Sequence, residues 1–203
     1  MSADFAKPVD TTFVNVTVND DALADMIQST ETYVYWAPWP KVIKKEILLK
    51  FPFTVGRIYE DSAVVFRWLC EAGTVAECDA KLYFYQVNDS GTTKKAFSLK
   101  RLDKLWSFEE QMAYYAAHDY SKSLDITFHS YMFTICGLVD KVQTELGRKD
   151  VARQLRQKGV QALKSYRSRV TISQYEKDRW MVVLKPLSTK IKWKLRQLLN
   201  KKG

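Results

Sequence analysis

Residues 148–169, RKDVARQLRQKGVQALKSYRSR, decide how the rest of the chain is read. On a helix turning about 100° per residue, Val151, Leu155, Gly159, Ala162 and Tyr166 fall in one arc. Lys149, Arg153, Arg156, Lys164 and Arg167 fall on roughly the opposite arc. The spacing therefore predicts an amphipathic helix, apolar where it docks and cationic where it does not. Leu163 borders the apolar side, whereas Lys158, Arg169 and Val160 break the pattern. Gly159 is about 1 kcal/mol worse than alanine inside a helix, which makes it the place for a kink, and the segment reads as one long basic helix or as two pieces.

The segment that follows repeats this logic. After Pro186, residues 189–200 are predicted to form a short helix with Ile191, Leu195, Leu198 and Leu199 on one face. Lys190, Lys192, Lys194, Arg196, Lys201 and Lys202 surround that stripe, and Trp193 points away from it. A basic amphipathic helix binds nucleic acid, a membrane surface or a partner's groove, or docks on its own body.

Charge sets this region apart. The chain carries 32 basic and 23 acidic residues, a net +9. Residues 141–203 hold 18 of the basic and four of the acidic ones, a local +14, and the remainder is −5. A surface kept basic only for solubility mixes its signs, so this asymmetry points to an anionic partner. Residues 1–140 are therefore read as a neutral-to-acidic mixed body. Residues 141–203 are read as a basic helical region packed on it or extending from it.

The body reads as strands and short helices. Val14, Val16 and Val18 alternate with polar neighbours, which predicts a half-buried strand over 12–18. Asp20 or Asp21 suits the cap of a short helix carrying Leu23, Met26 and Ile27. Further strands are expected at 33–36, 47–55 (with Pro52 at an edge or bulge), 81–87 and 124–135. Residues 92–99 would return as the hairpin partner of 81–87. Residues 61–72 fit a helix stopped by Gly73, or a strand. Ser107 and Glu110 have capping-box spacing for a helix over 108–117, and 180–184 is expected as a last strand. The fold class is α+β: a mostly antiparallel sheet with helices on one side, then the basic helical C-terminal region.

Known chemistries find little support. Hydrophobic residues make up 46% of 203 residues, enough to bury a core without disulfides or metal. Only seven glycines occur, and no phosphate-binding glycine motif is among them. Cys70, Cys78, Cys136, His118 and His129 lack zinc-ligand spacing and any nucleophile signature. His118 and Asp119 read as the end of a helix rather than a dyad. Trp36 and Trp39, on a proline-stiffened loop, read as packing anchors before base-stacking platforms. If that loop is exposed, Lys41, Lys44 and Lys45 extend the basic surface. No cofactor, metal or catalytic residue is assigned.

The N-terminal residues lack an apolar core, so no signal peptide is predicted, and three widely spaced cysteines fit a reducing, intracellular setting. The reading that follows is a non-enzymatic structural protein that binds nucleic acid, RNA ahead of DNA. Its contacts would be to phosphate, through Lys149, Arg153, Arg156, Lys164, Arg167 and the segment from Lys190 to Lys202, Trp193 included. In general character it is like small viral structural or accessory proteins. The alternative is a matrix-type peripheral protein that meets anionic lipid and self-associates into a homo-oligomer. An enzyme is the third option.

Overall fold

The computed structural model describes residues 12–29, 32–78, 80, 83 and 96–186. It divides into two compact units, Met1–Val55 with Glu60–Ala96, and Gly56–Tyr59 with Phe97–Gly203.

In the first unit β1 (Phe13–Thr17) pairs antiparallel with β2 (Thr74–Cys78), Phe13 opposite Cys78 and Thr17 opposite Thr74. Helix α1 (Asp20–Gln28) follows β1 and buries Leu23, Ala24 and Met26. Its cap is Asn19, whose side chain accepts the Ala22 N–H at 2.9 Å. Asp20 and Asp21 occupy the first turn instead, where their charge favours the positive end of the helix dipole. Helices α2 (Thr32–Trp36), α3 (Lys45–Lys50) and α4 (Val65–Ala72) complete the unit. Val64, Val65 and Trp68 form its apolar centre, with Trp36, Ile43, Ile47 and Phe51 packed against them. Gly73 ends α4 at φ 67°, a left-handed conformation that glycine adopts without strain, and its carbonyl accepts the Val18 N–H at 2.8 Å.

Two expected strands are helices here. Residues 33–36 lie in α2, closed by Lys41, whose Nζ donates to the Val34 and Ala37 carbonyls at 2.6 and 2.7 Å. A side chain can satisfy the orphan carbonyls of a helix end, and a period-2 reading does not see it. Lys41 is thus spent on its own loop, and burial pulls its amine down to about 8. Residues 45–50 form α3, and residues 51–55 are irregular. The residue before a proline is pushed out of the helical region, and Phe51, preceding Pro52, stands at φ −129°, ψ 76°. Trp36 is a packing anchor as expected, but on α4 rather than beneath a sheet. Trp39 stacks on Tyr83 with centroids 4.7 Å apart.

The second unit is helical: α5 (Asp103–Ala117), α6 (Ser121–Thr144), α7 (Lys149–Tyr166) and α8 (Gln174–Leu184), with α6 packed against the other three. The strand expected at 124–135 is the interior of α6. Leu124, Ile126 and Phe128 alternate over only five residues, whereas Leu124, Phe128, Tyr131, Ile135, Leu138 and Val142 keep a three-to-four residue period throughout and are all buried. Burying one continuous stripe against three neighbours outweighs the short alternation.

Helix α5 begins at Asp103, after a 3-10 turn at Leu99–Leu102, and not at the expected capping box. Ser107 is buried inside the helix, its hydroxyl donating to the Lys104 carbonyl. Asp103 instead accepts the Arg57 guanidinium at 2.8 Å and the Ile58 N–H at 3.2 Å. The expected strand at 180–184 is the last turns of α8, which opens with a capping box, Ser173 and Glu176. Trp180 and Leu184 are buried one helical turn apart, and Val182 faces out.

The fold is therefore α+β, but among the described residues its sheet has two strands and helices dominate. Most of the hairpin expected over 81–99 lies outside the described residues. Of its far end, residues 96–98 are irregular and Leu99 begins the 3-10 turn. Helix α6 runs unbroken through position 140.

Candidate polyanion-binding groove

Helix α7 takes the orientation its periodicity predicts. Val151, Leu155, Gly159 and Ala162 are buried, Tyr166 is half-buried, and Lys149, Arg153, Lys164 and Arg167 are exposed. The helix is continuous through Gly159, one piece rather than two. Gly159 is a contact point instead: a Cβ there would stand 2.7 Å from Cδ2 of Leu184. The absence of a side chain lets α8 close on α7.

That closure leaves a groove of about 470 Å³ beside it. Helix α7 lines it with Arg153, Arg156, Gln157, Val160, Gln161 and Lys164, and the end of α8 supplies Leu184 and Lys185. The α7 positions recur every three or four residues, one stripe about 16 Å long from Arg153 to Lys164 at 1.5 Å per residue. Four of the lining residues are cations and none is acidic. Val160, the apolar residue that interrupts the basic face in the sequence, contributes to the floor with Leu184.

The two cations that depart from the helical pattern each have a partner. Lys158 pairs with Glu109 of α5 at 2.8 Å, and Glu109 also accepts the Tyr131 hydroxyl at 2.9 Å. Arg169 donates to the Ala116 carbonyl near the end of α5 at 3.0 Å. These two cations hold neighbouring helices together and are withdrawn from the cationic face.

Arg156 corrects the sequence reading, which places it on the exposed face. It is half-buried; its Nε donates to the Val183 carbonyl at 3.0 Å and its Nη2 to Gln143 Oε1. It joins α6, α7 and α8, and it neutralises the negative end of the α8 dipole. Its charge still faces the groove, but the side chain is held by the protein. Arg153, Lys164 and Lys185 are the exposed cations of the groove. Lys149 and Arg167 are exposed near the two ends of the helix, outside the groove lining. Lys190, Lys192, Trp193, Lys194, Arg196, Lys201 and Lys202 lie outside the described residues.

Sequence reasoning missed Lys185, Gln157 and Gln161. The run Trp180-Met181-Val182-Val183-Leu184 read as a strand, so nothing placed Lys185 beside α7. Its signal was the capping box at Ser173, which starts a helix whose next buried positions are Trp180 and Leu184.

His118 ends α5, its Nδ1 within 2.8 Å of the Tyr114 carbonyl, as its position predicts. Burial pushes the Cys136 thiol up to about 11, which keeps it protonated and a poor nucleophile. Cys70, Cys78 and Cys136 are free thiols. Among the described residues, no group of three or more His, Cys, Asp and Glu side chains is placed to hold a metal ion, and no helix is long and apolar enough to cross a membrane.

Comparison with family models, curated proteins and solved structures finds no match.

Proposed function

We propose that this protein binds nucleic acid, RNA in preference to DNA, through phosphate contacts along α7 and the groove beside it. The observation that carries this reading is the groove's charge, four cations and no acid along a stripe long enough for more than one phosphate. Arginine presents a planar fork matched to phosphate oxygens, and the exposed Arg153 offers one, with Lys164 and Lys185 as further charges. Base-specific readout needs side chains aimed at base edges, and a row of phosphate contacts carries no such information. The role is non-enzymatic and structural: coating or condensing a polynucleotide, with the further cations of residues 187–203 adding contacts.

The test is fluorescence anisotropy with a labelled 20-nucleotide RNA, run across a salt series beside anionic lipid vesicles. Arg153→Glu with Lys164→Glu should weaken RNA binding roughly uniformly across sequences. The salt slope should become shallower by about 0.7 for each phosphate that is no longer neutralised. The loss should be alike for unrelated RNA sequences. Tight binding to vesicles with none to RNA would favour a matrix-type role and sink the proposal.

A further inference from the structure

We infer that the groove between α7 and the end of α8 seats a nucleotide unit of a single strand, and so discriminates against duplex. The inference rests on the proposed function and adds a ligand class to it. Its basis is the arrangement of the lining. Arg153, Lys164 and Lys185 are exposed at the margins, whereas deeper in the lining Val160 and Arg156 are half-buried and Leu184 is buried.

The aliphatic part of this floor gives phosphate nothing, since it neither donates hydrogen bonds nor carries charge, and the half-buried Arg156 guanidinium beside it is held by the Val183 carbonyl and Gln143. The aliphatic part suits the apolar face of a base or sugar. A volume of about 470 Å³ lies within the range of small-ligand clefts, roughly 300–1,000 Å³. Gln157 and Gln161, one turn apart, flank the floor with amides that both donate and accept, which matches the polar edges of any base without choosing among them. In a duplex the bases are paired and stacked inside, with phosphates outermost. A duplex would therefore meet the cations and leave the floor empty. An unpaired strand can turn a base inward while its flanking phosphates remain on Arg153 and Lys164.

The experiment compares a 12-nucleotide single-stranded RNA with the corresponding 12-base-pair duplex, by anisotropy on the full chain, for the unaltered protein, Val160→Ser and Lys164→Ala. Val160→Ser should weaken the single strand about fivefold or more while moving the duplex less than about twofold. Lys164→Ala should weaken both. Far-UV circular dichroism and the thermal midpoint check that each variant folds. A second measurement needs no variant. Adenosine monophosphate should shift the backbone amide resonances of Val160 and Gln161, and inorganic phosphate should leave them in place. Equal losses on both RNAs with Val160→Ser, or no loss on either, overturn the single-strand inference. If Lys164→Ala still weakens both, phosphate binding at the groove survives that result. If the unaltered protein binds neither RNA, both readings fall.

Discussion

Gly159 of α7 lies directly against Leu184 of α8, so that a Cβ at position 159 would stand 2.7 Å from Leu184 Cδ2 and 3.1 Å from Cδ1. Leu184 is buried, which restricts its retreat. Gly159→Leu should therefore destabilise the second unit by about 1–3 kcal/mol through overpacking, despite leucine's better helix propensity. Denaturant unfolding followed by circular dichroism measures this, and a stability equal to or above that of the unaltered chain would show that α8 moves aside freely.

Arg153 and Arg156 are one turn apart and have opposite duties. Arg156→Ala removes donors from the Val183 carbonyl and from Gln143, and should cost about 1.5–3 kcal/mol of stability. Arg153→Ala, at an exposed position, should change stability by no more than about 0.5 kcal/mol. In RNA binding Arg153→Ala should be the cleaner loss, visible as a shallower salt slope with an unchanged thermal midpoint.

The start of α8 is tied to α6 by His129. Its Nδ1 lies 2.9 Å from Glu176 Oε1 and its Nε2 2.9 Å from the Thr171 carbonyl. Both partners are acceptors, so only the doubly protonated ring donates to both. Asp125 stands 4.0 Å from Nε2 and takes the Thr171 N–H at 2.6 Å. Ser173 holds the Glu176 carboxyl below its ordinary value of 4.5, with a smaller contribution from His129. A carboxylate with a lowered folded value adds stability above its ordinary value and loses it as pH falls through the folded one. The Glu176 side chain is 35% exposed and solvent screens its charge, so the effect should be small. Thermal melts from pH 6 to pH 3 should fall less steeply for Glu176→Gln than for the unaltered protein. Parallel curves would show that this carboxylate contributes nothing.

Removing residues 187–203 deletes six basic residues and no acidic one. RNA affinity should drop and the salt slope should flatten, by about 0.7 for each phosphate these cations would otherwise neutralise. The thermal midpoint should stay put if these residues act on the ligand. A large fall in the midpoint with unchanged affinity would assign them to the core.

The orientation of α7 was legible in the sequence because an amphipathic helix writes its docking face into a period of 3.6 residues. Val151, Leu155, Gly159 and Ala162 are buried as that period requires. The β1 strand and the stop at Gly73 were legible for the same kind of reason, since alternation and a left-handed glycine are local signals. The concentration of cations after residue 140 needs no structure at all.

Tertiary structure alone decided the rest. Short apolar runs at 33–36, 47–55, 124–135 and 180–184 satisfy strand and helix templates alike, and the choice falls to which neighbours bury them. Tyr131 and Ile135 are buried on α6, a helix packed against three others, and among the described residues no strand forms there. Which cations remain exposed is also a matter of neighbours. Lys158 meets Glu109, 49 residues away in sequence, and Arg156 meets Val183, 27 residues away. No window of sequence contains both partners. The groove exists because Gly159 has no side chain and Leu184 fills the space that leaves, a contact between residues the chain brings together only by turning back after α7.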